Sequence, residues 1–134
     1  MVPIVLVMHA PLGAAFANCA EHVLGEPQSH LYVFDVAPDA DVDHASKQLS
    51  EQLIQLPAPG SLVLCDLYGA TPFNVAQRAI ARAKKQDIDI CLLTGTNLYM
   101  VLKALTDPVN NPEALCASVR CGVLRGIVGS DHTE

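Results

Sequence analysis

The residues best equipped for chemistry lie in three short polar segments, each at the end of an apolar run: Met8-His9-Ala10, Asp66-Leu67-Tyr68-Gly69-Ala70-Thr71 and Thr94-Gly95-Thr96-Asn97. The first supplies an imidazole. The second supplies a carboxylate, a hydroxyl and the start of a helix, and the third a glycine turn with polar side chains around it. A carboxylate that accepts from one ring nitrogen of a histidine fixes the tautomer and leaves the other nitrogen's lone pair free for attack. Asp66 could hold His9 in this way. If the electrophile is phosphorus, the charge developing on its oxygens calls for backbone N–H donors, which the helix after Thr71 would present, with the one at Pro11 as a second candidate. The chain has no P-loop, nucleotide glycine fingerprint or magnesium-type carboxylate cluster, so the donor would not be ATP and the histidine itself would carry the group.

Each of these residues also has a plain structural use. A histidine at a strand end often has a backbone partner, an aspartate often caps the turn after a strand, Tyr68 can cover the core, and Gly69 and Gly95 suit tight turns. His22, His30, His44 and His132 fall on helix faces, at a strand start and in the tail, and read as solvated or structural. Asp39, Asp41 and Asp43 read as a charge cluster at a loop and helix start. The case for chemistry rests on convergence of the three segments.

That convergence depends on the elements between them. Val2–Met8 is a near-continuous apolar run, the pattern of a parallel strand covered on both faces. Pro11 suits the first turn of a helix whose apolar residues Leu12, Phe16, Cys19, Ala20 and Val23 lead to Gly25. Leu31–Val36 reads as a second strand, and Asp41 can cap a helix with Val42, Ala45, Leu49, Leu53 and Leu56 on one stripe before the turn at Pro57 to Gly60. Ser61–Leu67 reads as a third strand, followed by Thr71 as N-cap and Pro72 opening a helix to about Lys85. Ile88–Leu93 then leads through a turn into a helix near Asn97, with another helix over Pro112–Arg120. Gly122–Val128 fits a short strand or a fraying helix. The alternation implies parallel pairing with right-handed crossovers, hence an α/β chain forming a three-layer α/β/α sandwich on a four-stranded parallel sheet. Such a sheet collects ligands beyond the carboxyl ends of its strands, where all three polar segments fall.

At 134 residues the chain has the length of one ordinary domain, and neither a linker nor a repeat divides it, so residues 1–134 are expected as one unit. A composition of 51% hydrophobic and 16% charged residues fits a compact domain and not a disordered chain. The net charge of -6, with eight Lys and Arg scattered along the chain, argues against a nucleic-acid partner. No apolar run reaches the ~18 residues of a membrane-spanning helix, and no basic stretch precedes Pro3–Met8. Cys19, Cys65, Cys91, Cys116 and Cys121 are odd in number, widely spaced and set among apolar neighbours, as in reduced, buried thiols. Without CxxC or His-x3-His spacing, no metal site is expected.

The segments "VLVMHAPLGAAF", "LVLCDLYGATPFNVAQ" and "LLTGTNLYMVLKAL" resemble, in order and spacing, three segments of the mannose-family enzyme IIA domains (mannose/fructose/sorbose type) of the bacterial phosphoenolpyruvate-dependent sugar phosphotransferase system. The most specific is the middle motif, Asp66 through Asn74, with its G-x-[ST]-P-F-N core. The resemblance implies a phosphocarrier without a cofactor, in which His9 accepts a phosphoryl group from phospho-HPr and passes it to a IIB domain for sugar uptake. It implies Asp66 as the carboxylate that orients His9, and Thr71, with Gly69 and Ala70, beside the phosphoryl group. Tyr68, Thr96 and Asn97 complete the set as candidate loop contacts. It also implies a cytoplasmic homodimer in which a C-terminal strand crosses to the partner's sheet as an antiparallel edge strand, with Gly122–Val128 as the candidate. The chain departs from the common pattern at Met8, Ala10, Ala70 and Tyr68. The alternative is a regulatory module, phosphorylated on the same histidine but acting on a kinase or transcription factor.

Overall fold

Ile4 to Met8 are each at most 3% exposed because β1 (Ile4–His9) has a strand on either side and helices over both faces. The computed structural model describes residues 1–57 and 60–130. After β1 come α1 (Leu12–Leu24), β2 (Leu31–Val36), α2 (Val42–Gln55), β3 (Gly60–Cys65), α3 (Thr71–Lys84) and β4 (Asp89–Leu93). Then follow α4 (Leu98–Thr106), α5 (Pro112–Gly122) and a 3₁₀ turn, Val123–Gly126.

The four strands pair in parallel in the order β2-β1-β3-β4. Successive side chains of a strand point to opposite faces, which divides the interior into two cores. Val5, Val7, Val63 and Cys65 pack with Leu49 and Leu53 of α2 and Val75, Ala76 and Ile80 of α3. Ile4, Leu6, Met8, Leu62 and Leu64 pack with Ala20 of α1, Val101 and Leu105 of α4, and Leu115 and Val119 of α5. This is the expected three-layer α/β/α arrangement. The chain leaves β1 for β2 on one side and later returns to β3 on the other, so a topological switch point opens between the ends of β1 and β3.

Several local expectations change. In α1 the buried residues are Gly13 and Ala20, with Phe16 and Leu24 half-buried, whereas Leu12, Cys19 and Val23 are exposed. The reason is a close approach: a Cβ on Gly13 would overlap Asp35 Oδ1 and come within 2.9 Å of Val33 Cγ1, so bare backbone meets the sheet there. Pro11 occupies the position before α1 and not its first turn. Ala70, not Thr71, is the N-cap of α3, with Thr71 the first helical residue. After α5 the chain makes a 3₁₀ turn and not a strand, and Gly126 lies so close to the Tyr99 ring that a Cβ would come within 2.7 Å of it. The fifth edge strand is therefore absent from the described residues. All five thiols are free, but Cys19 and Cys121 are exposed and not buried. His132 lies outside the described residues.

Candidate functional site at the switch point

His9 is the last residue of β1 and Asp66 follows the last residue of β3, so the two stand on either side of the switch point. Asp66 Oδ2 lies 2.7 Å from His9 Nδ1 and also accepts the His9 backbone N–H at 3.0 Å. Its other oxygen accepts the Leu67 N–H at 2.9 Å. Asp66 is 9% exposed, whereas the His9 side chain is 47% exposed. One edge of the imidazole is thus held by a buried carboxylate, on a side chain that is about half exposed.

Burial pushes the Asp66 carboxyl up, but the hydrogen bonds from the His9 backbone and imidazole and from Leu67 outweigh it, leaving the group below the ordinary carboxylate range. An ionised carboxylate can only accept, so the proton of a neutral imidazole sits on Nδ1. Nε2, with no partner among the described residues, then carries the lone pair. Neighbouring Cys65 is no rival nucleophile: burial, and secondarily the Asp66 charge, push its thiol up to about 12.

The structure brings the middle segment next to this pair. Gly69 has φ 79°, the left-handed conformation that favours glycine, and reverses the chain into α3. The N-cap of α3 is Ala70, which has no side-chain acceptor, and no side chain caps the start of α3 among the described residues. Pro72 has no N–H to offer, which leaves the Thr71 and Phe73 N–H groups at the open turn. Tyr68 does not cover the core: it is 80% exposed, with its ring 4.9 Å from that of Phe73.

The third segment adjoins the site but is used internally. Thr96 donates its hydroxyl to the Cys65 carbonyl at 2.7 Å and its N–H to the same oxygen at 3.2 Å. Asn97 caps α4 by accepting the Met100 N–H at 2.9 Å. Thr96 thus fastens the β4–α4 loop to the end of β3, and Asn97 is spent on its own helix.

Asp35 escaped the sequence reading. From the end of β2 it accepts the Gly13 N–H at 2.8 Å and the Ala14 N–H at 3.1 Å, the first orphan donors of α1. Asp35 thus takes two of the N–H groups in the α1 turn expected to face a phosphoryl group and leaves that of Leu12 without a partner among the described residues. The available signal was an acidic residue interrupting an otherwise apolar strand, Leu31–Val36.

Residues 3–117 match the EIIA-man family, described as the PTS system fructose IIA component. The chain belongs to that family. The match takes in all three polar segments and ends before the 3₁₀ turn. This IIA chain is 27% identical over 111 residues to the sorbose-specific EIIA component of Lacticaseibacillus casei, covering 80% of the chain and 74% of that protein. It is 26% identical over 113 residues to the mannose-specific EIIAB component of Escherichia coli K12, covering 84% of the chain. The chain spans only 33% of that relative's length. The phosphotransferase system component EIIA from Streptococcus agalactiae is similar in structure, with a TM-score of 0.84 and 25% identity over 96% of this chain and 97% of that one. Among the described residues no helix is long and apolar enough to cross a membrane.

Proposed function

We propose that the chain is a histidine phosphocarrier: His9 Nε2 takes a phosphoryl group from phospho-HPr and gives it to a IIB domain, in the service of sugar uptake. The single observation that carries this reading is the 2.7 Å contact between His9 Nδ1 and the buried Asp66 carboxylate, on an imidazole whose side chain is about half exposed. In the forward step the Nε2 lone pair attacks phosphorus as the donor's P–N bond breaks, and the donor nitrogen keeps the bonding pair. The Nδ1 proton stays in place, so the phosphorylated ring is an imidazolium whose charge Asp66 balances. Open N–H groups at the start of α3 are suited to the phosphoryl oxygens, with the Thr71 hydroxyl beside them. Transfer to a IIB domain is the same displacement with His9 as the leaving group.

The test is incubation with phosphoenolpyruvate, enzyme I and HPr, followed by intact mass. An acid-labile gain of one phosphoryl group, discharged on adding a IIB domain, is expected; no gain in folded protein would remove the reading. The reading includes a cytoplasmic homodimer, supported by the exposed Leu124, Ile127 and Val128 after α5. Sedimentation showing a monomer at high concentration would exclude the dimer.

A further inference from the structure

Between His9 and Ala15 every backbone donor except the Leu12 N–H has a partner among the described residues. His9 N–H goes to Asp66 on the β3 side, and Ala10 N–H to the Val36 carbonyl at 3.0 Å on the β2 side. Pro11 has none to give. Gly13 and Ala14 N–H go to Asp35, and Ala15 N–H closes the first helical bond to the Pro11 carbonyl at 3.1 Å. The corner carrying His9 is thus clamped from both neighbouring strands, by Asp66 on one side and by Asp35 with Val36 on the other. Register makes this possible: Met8 pairs with Asp35 and His9 with Val36, so the Asp35 carboxylate rises beside the corner. Gly13 completes the fit, because any side chain there would displace that carboxylate.

We propose that Asp35 is a positioning residue for His9, its carboxylate pinning the start of α1 across the end of β2 so that the imidazole stays in register with Asp66. The claim concerns the aim of the ring and rests, for its functional consequence, on the phosphocarrier reading. An untethered α1 lets the His9–Leu12 corner shift; Nδ1 then loses its fixed distance to Asp66, and the proton divides between the two ring nitrogens. Small displacements of a reacting group are expensive in rate, up to about 100-fold for 1 Å.

The test compares wild type, Asp35→Asn and Asp35→Ala by 15N NMR of histidine-labelled, unphosphorylated protein and by the rate of phosphoryl transfer from phospho-HPr. Wild type should show a single His9 tautomer with the proton on Nδ1. Asp35→Ala should show averaged ring shifts and a roughly 10-fold loss in kcat with KM little changed. Asp35→Asn keeps one acceptor and should fall between, with a loss of about 3-fold. Asp107→Asn, which loosens the contact between α4 and α5 away from the site, controls for stability and should leave the His9 shifts as in wild type. Unchanged His9 ring shifts in folded Asp35→Ala would overturn the proposal; if that variant does not fold, unchanged shifts in Asp35→Asn do so. Should wild type take no phosphoryl group at all, the functional reading falls, while the ring shifts still decide the role of Asp35.

Discussion

Two helices begin beside His9, and their first turns are completed in opposite ways. The start of α1 is largely closed by Asp35, which accepts from Gly13 and Ala14 and leaves only the Leu12 N–H of that turn without a partner among the described residues. The start of α3 has Ala70 at its N-cap and no side-chain acceptor among the described residues, whereas α2, α4 and α5 are capped by Asp41, Asn97 and Asn111. Orphan N–H groups with a helix dipole behind them attract negative charge. Where the chain supplies that charge, the turn is fixed scaffold; where it does not, the turn suits an incoming anion. Under the phosphocarrier reading, the unfilled cap is the one left for function and the filled one gives rigidity.

The most severe break in this comparison is to remove the group both turns flank. His9→Gln is expected to abolish the phosphoryl gain in intact mass while the thermal midpoint moves by only a few degrees, glutamine keeping one polar contact near Asp66. Asp66→Asn keeps the shape but removes the charge that holds the ring and, in the proposed mechanism, would balance a phosphoimidazolium. Stopped-flow transfer from phospho-HPr should slow by at least about 10-fold while the acid-labile adduct still forms. Transfer at the wild-type rate would reduce Asp66 to a turn residue.

Closing the open turn sharpens the comparison further. Ala70 already has extended backbone, φ -81° and ψ 175°, so Ala70→Asp can accept from the α3 N–H groups. Stability should rise by about 1 kcal/mol in urea melts, as for a gained N-cap. Phosphoryl transfer should slow by several-fold, roughly 3 to 10, because a fixed carboxylate takes the donors and repels the incoming group. A more stable protein with unaltered transfer would show that α3 has no part in holding the phosphoryl group.

A smaller effect distinguishes a carboxylate that holds structure from one that serves the site. Asp107, at the far end of α4, accepts from the Ser118 hydroxyl and the Val109 N–H and pairs with Lys103 at 3.1 Å. The Ser118 hydroxyl first, then the Val109 N–H and Lys103, hold its carboxyl below the ordinary range against the opposing pull of burial. With the folded pKa below the unfolded one, the unfolded chain takes up the proton first, so this stability is present above about pH 4 and is lost as pH falls through the folded value. Asp107→Asn should therefore flatten the acid side of a midpoint-versus-pH curve; an unchanged slope would discount the network. Asn111→Ala, at an ordinary cap, should cost about 1 kcal/mol and leave phosphoryl transfer untouched. A slowed transfer there would mean that caps in general, and not the α1 and α3 pair, govern the site.

The alternation of apolar strands with amphipathic segments was enough to determine a parallel sheet between two helical layers, and with it the edge on which His9, Asp66 and Thr94–Asn97 would stand. Connectivity dictates that edge, because every strand in such a sheet ends there. The left-handed turns at Gly69 and Gly95, with φ 79° and 72°, were legible for a similar local reason. Periodicity says only which side of one element is buried, and carries no register between elements. Hence the pairing of Met8 with Asp35, which brings that carboxylate to residues 22 and 21 positions earlier, was decided only by the tertiary structure. That contact turned α1 onto Gly13, which keeps Phe16 and Ala20 of the expected stripe inward and leaves Leu12, Cys19 and Val23 exposed. Likewise Thr96 and Asn97 looked free along the chain and are committed in space, one to a carbonyl 31 residues away and the other to its own helix. The tail has apolar residues suited to a strand, but Val123–Gly126 is a 3₁₀ turn with Gly126 against the Tyr99 ring. Residue types and order settled which groups could meet; long-range hydrogen bonds settled which of them remain available for chemistry.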